Sequence, residues 1–520
     1  MLAAGFAAWT VMLLLVNYIM LIPLNPQSDG FWIEIMVFGP VLLFLILSAV
    51  IPKTGIFGKY LPYTRKEKEQ DCCLFSSLLF LLAGLVLYGL VRLFCSPVFH
   101  AADYASAVGK IGTTSFGEAC PQTGSVDSIA LIDTKTAAVI GARKLGSLED
   151  VVSQFRSGAY TQITYRGKVK KTAAIDYDGF FKYMENGKTG TPGYLMVDPV
   201  DGTAELVRTK EGIRYSPGAF FSNDIRRHQR GQYRTELFGG TYFEIDEEGH
   251  PFWITQIKRN RLLLCNPVIT GVIITDAVTG ESVKYAVGDV PEWVDTVFDG
   301  DYICEKYDNH GRYSGGFWNS LKAKRNCRKI TRIYGVGDFG YLTDGRDIWI
   351  YTGVTSATKA DLSDVGMLMA NERTGEVKYM SLAGADEASA MAAAEGEVSA
   401  YRYTASFPSI ISVDGSPAYI MVMTDAGRIV KKYAMVNMEN CSEVVAGNTK
   451  DEVLGKYRRL VGAGTPETAE PEDAAEKKYT SIIIGNDDGG QYAELVFEDG
   501  SEARFRMADP YPAEPAPEKG

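Results

Sequence analysis

Three apolar runs near the N-terminus, Ala3 to Leu24, Phe31 to Ile51 and Leu74 to Phe94, are long and almost uncharged. Each matches the roughly 20 residues a helix needs to cross a bilayer. Such segments can satisfy their backbone polar groups in lipid only as helices, so the start of the chain is fixed before any finer reading. No Lys or Arg occurs between Met1 and Pro52. The basic n-region of a cleaved secretory signal is therefore missing, and the first run reads as a retained helix. The second connection carries Lys53, Lys59, Arg65, Lys66 and Lys68, whereas the first, Asn25 to Gly30, has no basic residue. The positive-inside rule then predicts a multi-pass cell-membrane protein with a cytoplasmic N-terminus and an extracytoplasmic C-terminal domain beginning after Phe94.

Inside those runs the strongly polar residues are Asn17, Glu34 and Arg92. Glu34 lies near the outer end of the second helix and Arg92 near the outer end of the third. A charge there is costly unless paired or snorkelling, so the two are predicted to approach each other as an intramembrane pair or to reach the outer interface together. So few polar groups do not make a permeation path, and transport by this chain alone is not expected. The anchor's partners are membrane lipids.

Beyond residue 99 lie 47 basic and 59 acidic residues, a net charge of −12. An acidic domain in that compartment excludes nucleic acid as a partner. Hydrophobic residues make up 46% of the chain, enough for real cores. Cys120, Cys265, Cys304, Cys327 and Cys441 fall in the outer region without CxxC spacing. Their odd number leaves any disulfide pairing open.

Short β-branched and aromatic runs separated by turn residues predict strands over most of this region. One pattern recurs: Gly271-Val-Ile-Ile-Thr-Asp-Ala-Val-Thr-Gly-Glu-Ser-Val-Lys-Tyr285 matches Gly366-Met-Leu-Met-Ala-Asn-Glu-Arg-Thr-Gly-Glu-Val-Lys-Tyr379. The Asp or Asn can close an Asx turn and the Gly four residues on can take positive φ, so each copy reads as a hairpin. Helices are expected after several hairpins, starting at Asp289, Asp386 and Thr449, with the same order in Ile129 to Ala142 followed by Ser147 to Asp150. The fold class is membrane-anchored α+β: a three-helix anchor, then a mostly antiparallel domain of repeated hairpin-helix units. Predicted divisions are an anchor (1–96), an α+β subdomain (97–192), a β-hairpin region (193–265), tandem repeats (266–461), a linker (462–478), a small β-module (479–507) and a disordered tail (508–520).

The hairpin with Asp, Thr-Gly-Glu and a Lys-Tyr strand, followed by a helix, resembles PepSY-type modules of exported bacterial proteins. More of the chain resembles an uncharacterised family of multi-pass bacterial membrane proteins with a large extracytoplasmic domain. That resemblance rests on Ser153-Gln-Phe155, Tyr160-Thr-Gln-Ile-Thr-Tyr165, Phe243-Glu-Ile-Asp-Glu-Glu-Gly249, Gly316-Phe-Trp-Asn-Ser320, Tyr351-Thr-Gly-Val-Thr-Ser356, and Ala390-Met with Ala394-Glu-Gly396. It implies the topology above and no site residues.

Motif by motif, catalytic chemistry finds no home. Gly335-Val-Gly-Asp-Phe-Gly340 fits GxGxxG, but Tyr341 to Tyr351 reads as a strand where a dinucleotide site needs a helix. Gly187-Lys-Thr189 lacks the first glycine of a P-loop. His100, His228, His250 and His310 are the four histidines and show no metal-ligand spacing, so neither metal nor cofactor is predicted. Acid pairs such as Asp176 and Asp178, or Asp487 and Asp488, read as turn caps.

What remains are binding surfaces. A basic cluster, Arg226, Arg227 and Arg230 within Arg226 to Arg234, suits anionic envelope polymers or lipid head groups; a second runs from Lys322 to Arg332. The stretch Tyr307-Asp308-Asn309-His310 to Trp318 reads as a loop that mixes aromatics with polar groups as sugar-binding clefts do. The sequence thus points to a membrane-tethered extracytoplasmic binding or scaffolding protein whose partner is an envelope protein or cell-surface polymer. The alternatives are an envelope hydrolase of peptide or glycan, or an accessory subunit of a transport complex.

Overall fold

The computed structural model describes residues 2–54, 62–120, 126, 129–149, 151–331, 339–357, 363–462, 479–487, 490–497 and 502–506. Helices α1 (Leu2–Met20), α2 (Asp29–Thr54) and α3 (Pro62–Phe94) are each long and apolar enough to cross a membrane. Side chains such as Val11, Leu14, Leu78 and Leu82 are exposed, as an apolar solvent would require. Small residues set the approach of α2 to α3. A Cβ on Gly39 would lie 2.7 Å from Phe80 Cε1, and one on Gly84 would lie 3.2 Å from Met36 Cγ. Helix α4 (Pro97–Ala105) then turns the chain off α3, with proline in its first turn where no N–H is needed.

Strands dominate from there. Among the described residues they form five sheets, antiparallel except for Ile111–Thr114, which runs parallel to Val377–Met380. The first sheet contains Phe155–Ser157, Thr161–Tyr165, Lys168–Tyr177, Thr191–Val197 and Ala204–Ile213. A meander of Leu237–Ile245, Pro251–Leu262, Cys265–Asp276 and Ser282–Ala286 makes the second. The third is built around Ile348–Ser356 and Ser363–Asn371.

In the fourth sheet the strand Ser416–Thr424 is buried on both faces, so its alternation is between two cores rather than between core and water. Ala418, Ile420 and Val422 pack with Val453, Leu454 and Tyr457 of the helix Lys450–Leu460. Tyr419, Met421 and Met423 pack with Ala390, Met391 and Ala394 of the helix Glu387–Glu397.

The two matching hairpins close with the same hydrogen bonds. Asp276 Oδ1 accepts from Val278 N and Thr279 N, Gly280 N donates to Asp276 O, and Glu281 N donates to Thr279 Oγ1. Asn371 Oδ1 accepts from Arg373 N and Thr374 N, Gly375 N donates to Asn371 O, and Glu376 N donates to Thr374 Oγ1. Both glycines take positive φ, 80° and 72°. The segments after the two hairpins differ. Asp386 caps a helix as expected, accepting from Ser389 N, but the helix expected from Asp289 is absent. There the chain runs through turns and bends until Asp299 caps the helix Gly300–Tyr313, because Val294 and Val297 are drawn into a core against Ile254 and Val272. The strand expected in Ile129 to Ala142 is likewise replaced by the helix Thr134–Gly146, which Asp133 caps by accepting from Thr136 N at 2.7 Å.

Two expected divisions cut through sheets. Thr191–Val197 straddles 192/193, and Pro251–Leu262 pairs with Cys265–Asp276 across 265/266. Cross-strand hydrogen bonding joins what local composition separated, and residues up to Val461 pack as one unit. Residues 462–520 form a second, in which Tyr479–Asp487, Gly490–Phe497 and Glu502–Arg506 make a three-stranded antiparallel sheet. The expected linker from 463 and the tail 508–520 lie outside the described residues.

Candidate functional site

The last seven residues of the strand Lys168–Tyr177 are buried, and Lys171 opens that stretch at 2% exposure. Its Nζ donates to Gln162 Oε1 at 2.7 Å and Thr134 Oγ1 at 3.1 Å, and lies 5.0 Å from the centre of the Tyr341 ring. Burial pushes the ammonium down to about 8, against the pull of Asp133 and Glu372. Both hydrogen-bond acceptors are neutral, so no carboxylate in direct contact cancels the charge. Lys171 stands in the wall of a cleft of about 260 Å³ with Asp133, Tyr160, Gln162, Tyr341 and Arg428. The helix Thr134–Gly146 begins there, and its N-terminal dipole adds to the positive potential. The buried Tyr160 hydroxyl has no hydrogen-bond partner.

Elsewhere in the domain, buried carboxylates tie neighbouring segments together. Glu244, fully buried, accepts from Asp295 N at 2.9 Å and Thr296 N at 2.8 Å, and Asp295 Oδ2 accepts from Thr164 N at 2.6 Å. Asp347 takes a two-pronged contact from Arg373 at 2.7 and 2.9 Å. Glu387 accepts from Gly353 N and Thr331 Oγ1. Burial raises the Glu244 carboxyl to about 7 and holds those of Asp295 and Glu372 well above the usual range. Among the described residues no cluster of His, Cys, Asp and Glu could hold a metal ion.

The first basic cluster is a dock for the anchor. Arg227 lies over the Tyr18 ring at 4.4 Å and donates to Tyr18 O at 3.4 Å and Phe221 O at 3.1 Å. Arg230 turns inward, donating to Tyr233 O and Glu236 O over the Phe238 ring, and burial lowers its guanidinium to about 10. Arg226 is exposed. Gln27 and Asn260 bond reciprocally, at 2.8 to 3.2 Å, and Asn25 Nδ2 reaches Thr235 O at 2.8 Å.

Glu34 and Arg92 do not pair. Glu34 takes the Asn17 amide from α1. Arg92 sits 3.5 Å from Asp29 and donates to Leu264 O at 2.9 Å, because the folded domain descends to the end of α3 and offers nearer acceptors.

The stretch from Tyr307 to Tyr313 is helix rather than loop, since Ile303, Cys304, Tyr307 and Gly311 form one buried face. Asp308 Oδ1 accepts from Ile330 N at 2.8 Å, and His310 Nδ1 bonds Ala105 O at 3.0 Å. Asn309 is half-buried on the same helix. Trp318 alone of this set projects, at 63% exposure, with Lys322 over its ring. Tyr307 is buried and Trp318 projects, so these residues do not share one surface. His100, His228 and His250 bond Asp103, Gly280 O and Asp276 respectively.

Gly187-Lys-Thr189 follows the C-terminus of the helix Phe180–Asn186, where carbonyls rather than amides face outward. The glycine-rich stretch at 335 lies outside the described residues up to 338 and leads into the strand Gly340–Thr343. Asp488 also lies outside them. All eight cysteines are free thiols.

Fold and sites together define a class: three long apolar helices carrying an antiparallel-rich β domain that docks on them. No family model and no curated protein matches the chain. A solved structure, of the polysaccharide lyase Uly1, aligns over 68% of this chain and 77% of its own at 9% identity. Its TM-score is 0.17, too low to indicate a shared fold.

Proposed function

We propose that this chain is a membrane-tethered extracytoplasmic binding protein of the cell envelope, and that its ligand is a carboxylate or phosphate group of a cell-surface polymer held at Lys171. The carrying observation is a buried ammonium in a cleft wall whose direct hydrogen-bond acceptors are both neutral. Such a cation costs stability, so its placement is the kind a fold keeps for a ligand. The N-inside topology and a common origin of the two hairpins as PepSY-like units belong to the same reading.

Thermal unfolding of the full chain in detergent tests it, with inorganic phosphate, glucuronate and glucose as probes. A saturable stabilisation by phosphate or glucuronate, absent with glucose and lost in Lys171→Met, is expected. Equal shifts in Lys171→Met, or none in the native chain, would refute it. The lowered affinity of Lys171 for its proton also favours a second reading, an envelope enzyme using Lys171 as a base. Turnover of a polymer on incubation, lost in Lys171→Met, would move the assignment there.

A further inference from the structure

A groove of about 750 Å³ opens between α1 and α2. Its wall runs along α2 from Phe31 to Leu42, roughly 16 Å of helix, and along α1 from Trp9 to Tyr18, with apolar side chains dominating. At the end next to the folded domain the lining changes to Arg227 and Arg234, with the Asn17–Glu34 pair just below. Two other grooves along the helices, at Leu90 to Phe94 with Leu263 and at Phe75 to Leu85, are lined by apolar side chains. Cationic lining therefore distinguishes this groove from ordinary lipid-facing helix surface.

Among the described residues, neither guanidinium is hydrogen-bonded to a protein carboxylate. The Arg227 side chain bonds backbone oxygens and the Tyr18 ring, with the Asp224 carboxylate near enough to attract it. The Arg234 guanidinium is exposed and has no side-chain partner among the described residues; only its backbone carbonyl is used, by Leu24 N. The surface beside them is built for an interface. Phe181, Met184 and Phe221 are exposed by 83%, 60% and 52%, and Phe221 is the residue whose carbonyl Arg227 holds. Phe180 links them, its ring 5.7 Å from Phe181 and 6.2 Å from Phe221. Aromatics next to arginines, at the ends of apolar helices, match the headgroup level of a bilayer.

We propose that this groove binds an anionic phospholipid, with an acyl chain between α1 and α2 and the phosphate at Arg227 and Arg234. It rests on the membrane reading of α1 to α3 and is independent of Lys171. A juxtamembrane arginine favours anionic lipid by roughly fivefold, so two give a preference of tenfold or more.

Trp9 lines the groove and reports the occupant by fluorescence. The full chain carrying Trp32→Phe is reconstituted in phosphatidylcholine vesicles with dibrominated phosphatidylglycerol or dibrominated phosphatidylcholine. The brominated anionic lipid is expected to quench Trp9 at roughly tenfold lower mole fraction than its zwitterionic counterpart. Arg234→Gln, at an exposed position whose loss leaves the fold intact, should remove most of that preference, and Arg234→Lys should keep it. Equal quenching by the two lipids, or a preference that survives Arg227→Gln with Arg234→Gln, would overturn the proposal. Quenching by neither lipid would overturn both the groove and the membrane reading beneath it.

Discussion

Among the described residues, helices α1 to α3 turn most of their apolar side chains outward, whereas the sheets beyond Ile111 turn most of theirs inward. On α3, Leu78, Leu82 and Leu85 are half-exposed or more, whereas Ile420, Val422 and Met421 in the fourth sheet are sealed. Polar groups obey the opposite rule. The anchor's Glu34 takes one amide from a neighbouring helix, while the folded domain buries Glu244, Asp295, Glu372, Glu387 and Lys171 among its sheets. The contrast separates two solvents. Lipid covers apolar helices at no cost but tolerates few charges, whereas a water-facing domain can enclose charges once hydrogen bonds meet them.

The widest separation should come from one substitution made in both regions. Ile420→Ala removes packing from a filled core and should cost about 2–5 kcal/mol of unfolding free energy. Leu82→Ala, on a surface that lipid refills, should change the folded domain's stability by less than about 0.5 kcal/mol. Denaturant unfolding of the full chain in detergent reads both, and similar losses would erase the distinction.

Next in size is the effect of pH on the buried acids. The Glu244 carboxyl is raised from 4.5 to about 7, so the folded state holds a proton the unfolded chain has released. Its contribution to stability is therefore fully present below about 4.5 and is lost as the pH rises through 7; Asp295 and Glu372 act in the same direction. Glu244→Gln should flatten that slope. Lys171 has the opposite sign, because its folded-state affinity for a proton is lowered from 10.5 to about 8. Its cost is in force below pH 8 and fades as the pH climbs toward 10.5, and Lys171→Met should abolish that rise.

The smallest effect belongs to the seam between the regions. Gln27→Ala removes the reciprocal bonds to Asn260 and should cost about 1–2 kcal/mol. Faster proteolysis near Asn260 in Gln27→Ala would show that these bonds hold the dock, and unchanged cleavage would assign it to Arg227 and Arg92.

How much of this the sequence disclosed depends on how local each cause is. The helices are legible because twenty apolar residues in a row admit few structures, and the Asp276 and Asn371 turns because their hydrogen bonds stay within five residues. The stretch after Asp289 misled because its amides are taken by Glu244, a residue some fifty positions away. Tyr307 to His310 looked like a loop by composition, although Ile303, Tyr307 and Gly311 already carried helical spacing. Lys171 left one signal, a lysine adjoining the buried run Thr172-Ala-Ala-Ile175. Its cleft left none, since Asp133, Gln162, Tyr341 and Arg428 meet only after separate sheets pack.

Cysteine accessibility in intact cells tests the membrane arrangement most directly. With Cys72, Cys265 and Cys441 changed to serine, the other cysteines are buried. Lys66→Cys then marks the exposed start of α3, and Glu211→Cys marks an exposed position on the folded domain. An impermeant maleimide is expected to label Glu211→Cys in intact cells and Lys66→Cys only after permeabilisation. Labelling of Lys66→Cys without permeabilisation, or protection of Glu211→Cys, would contradict the arrangement.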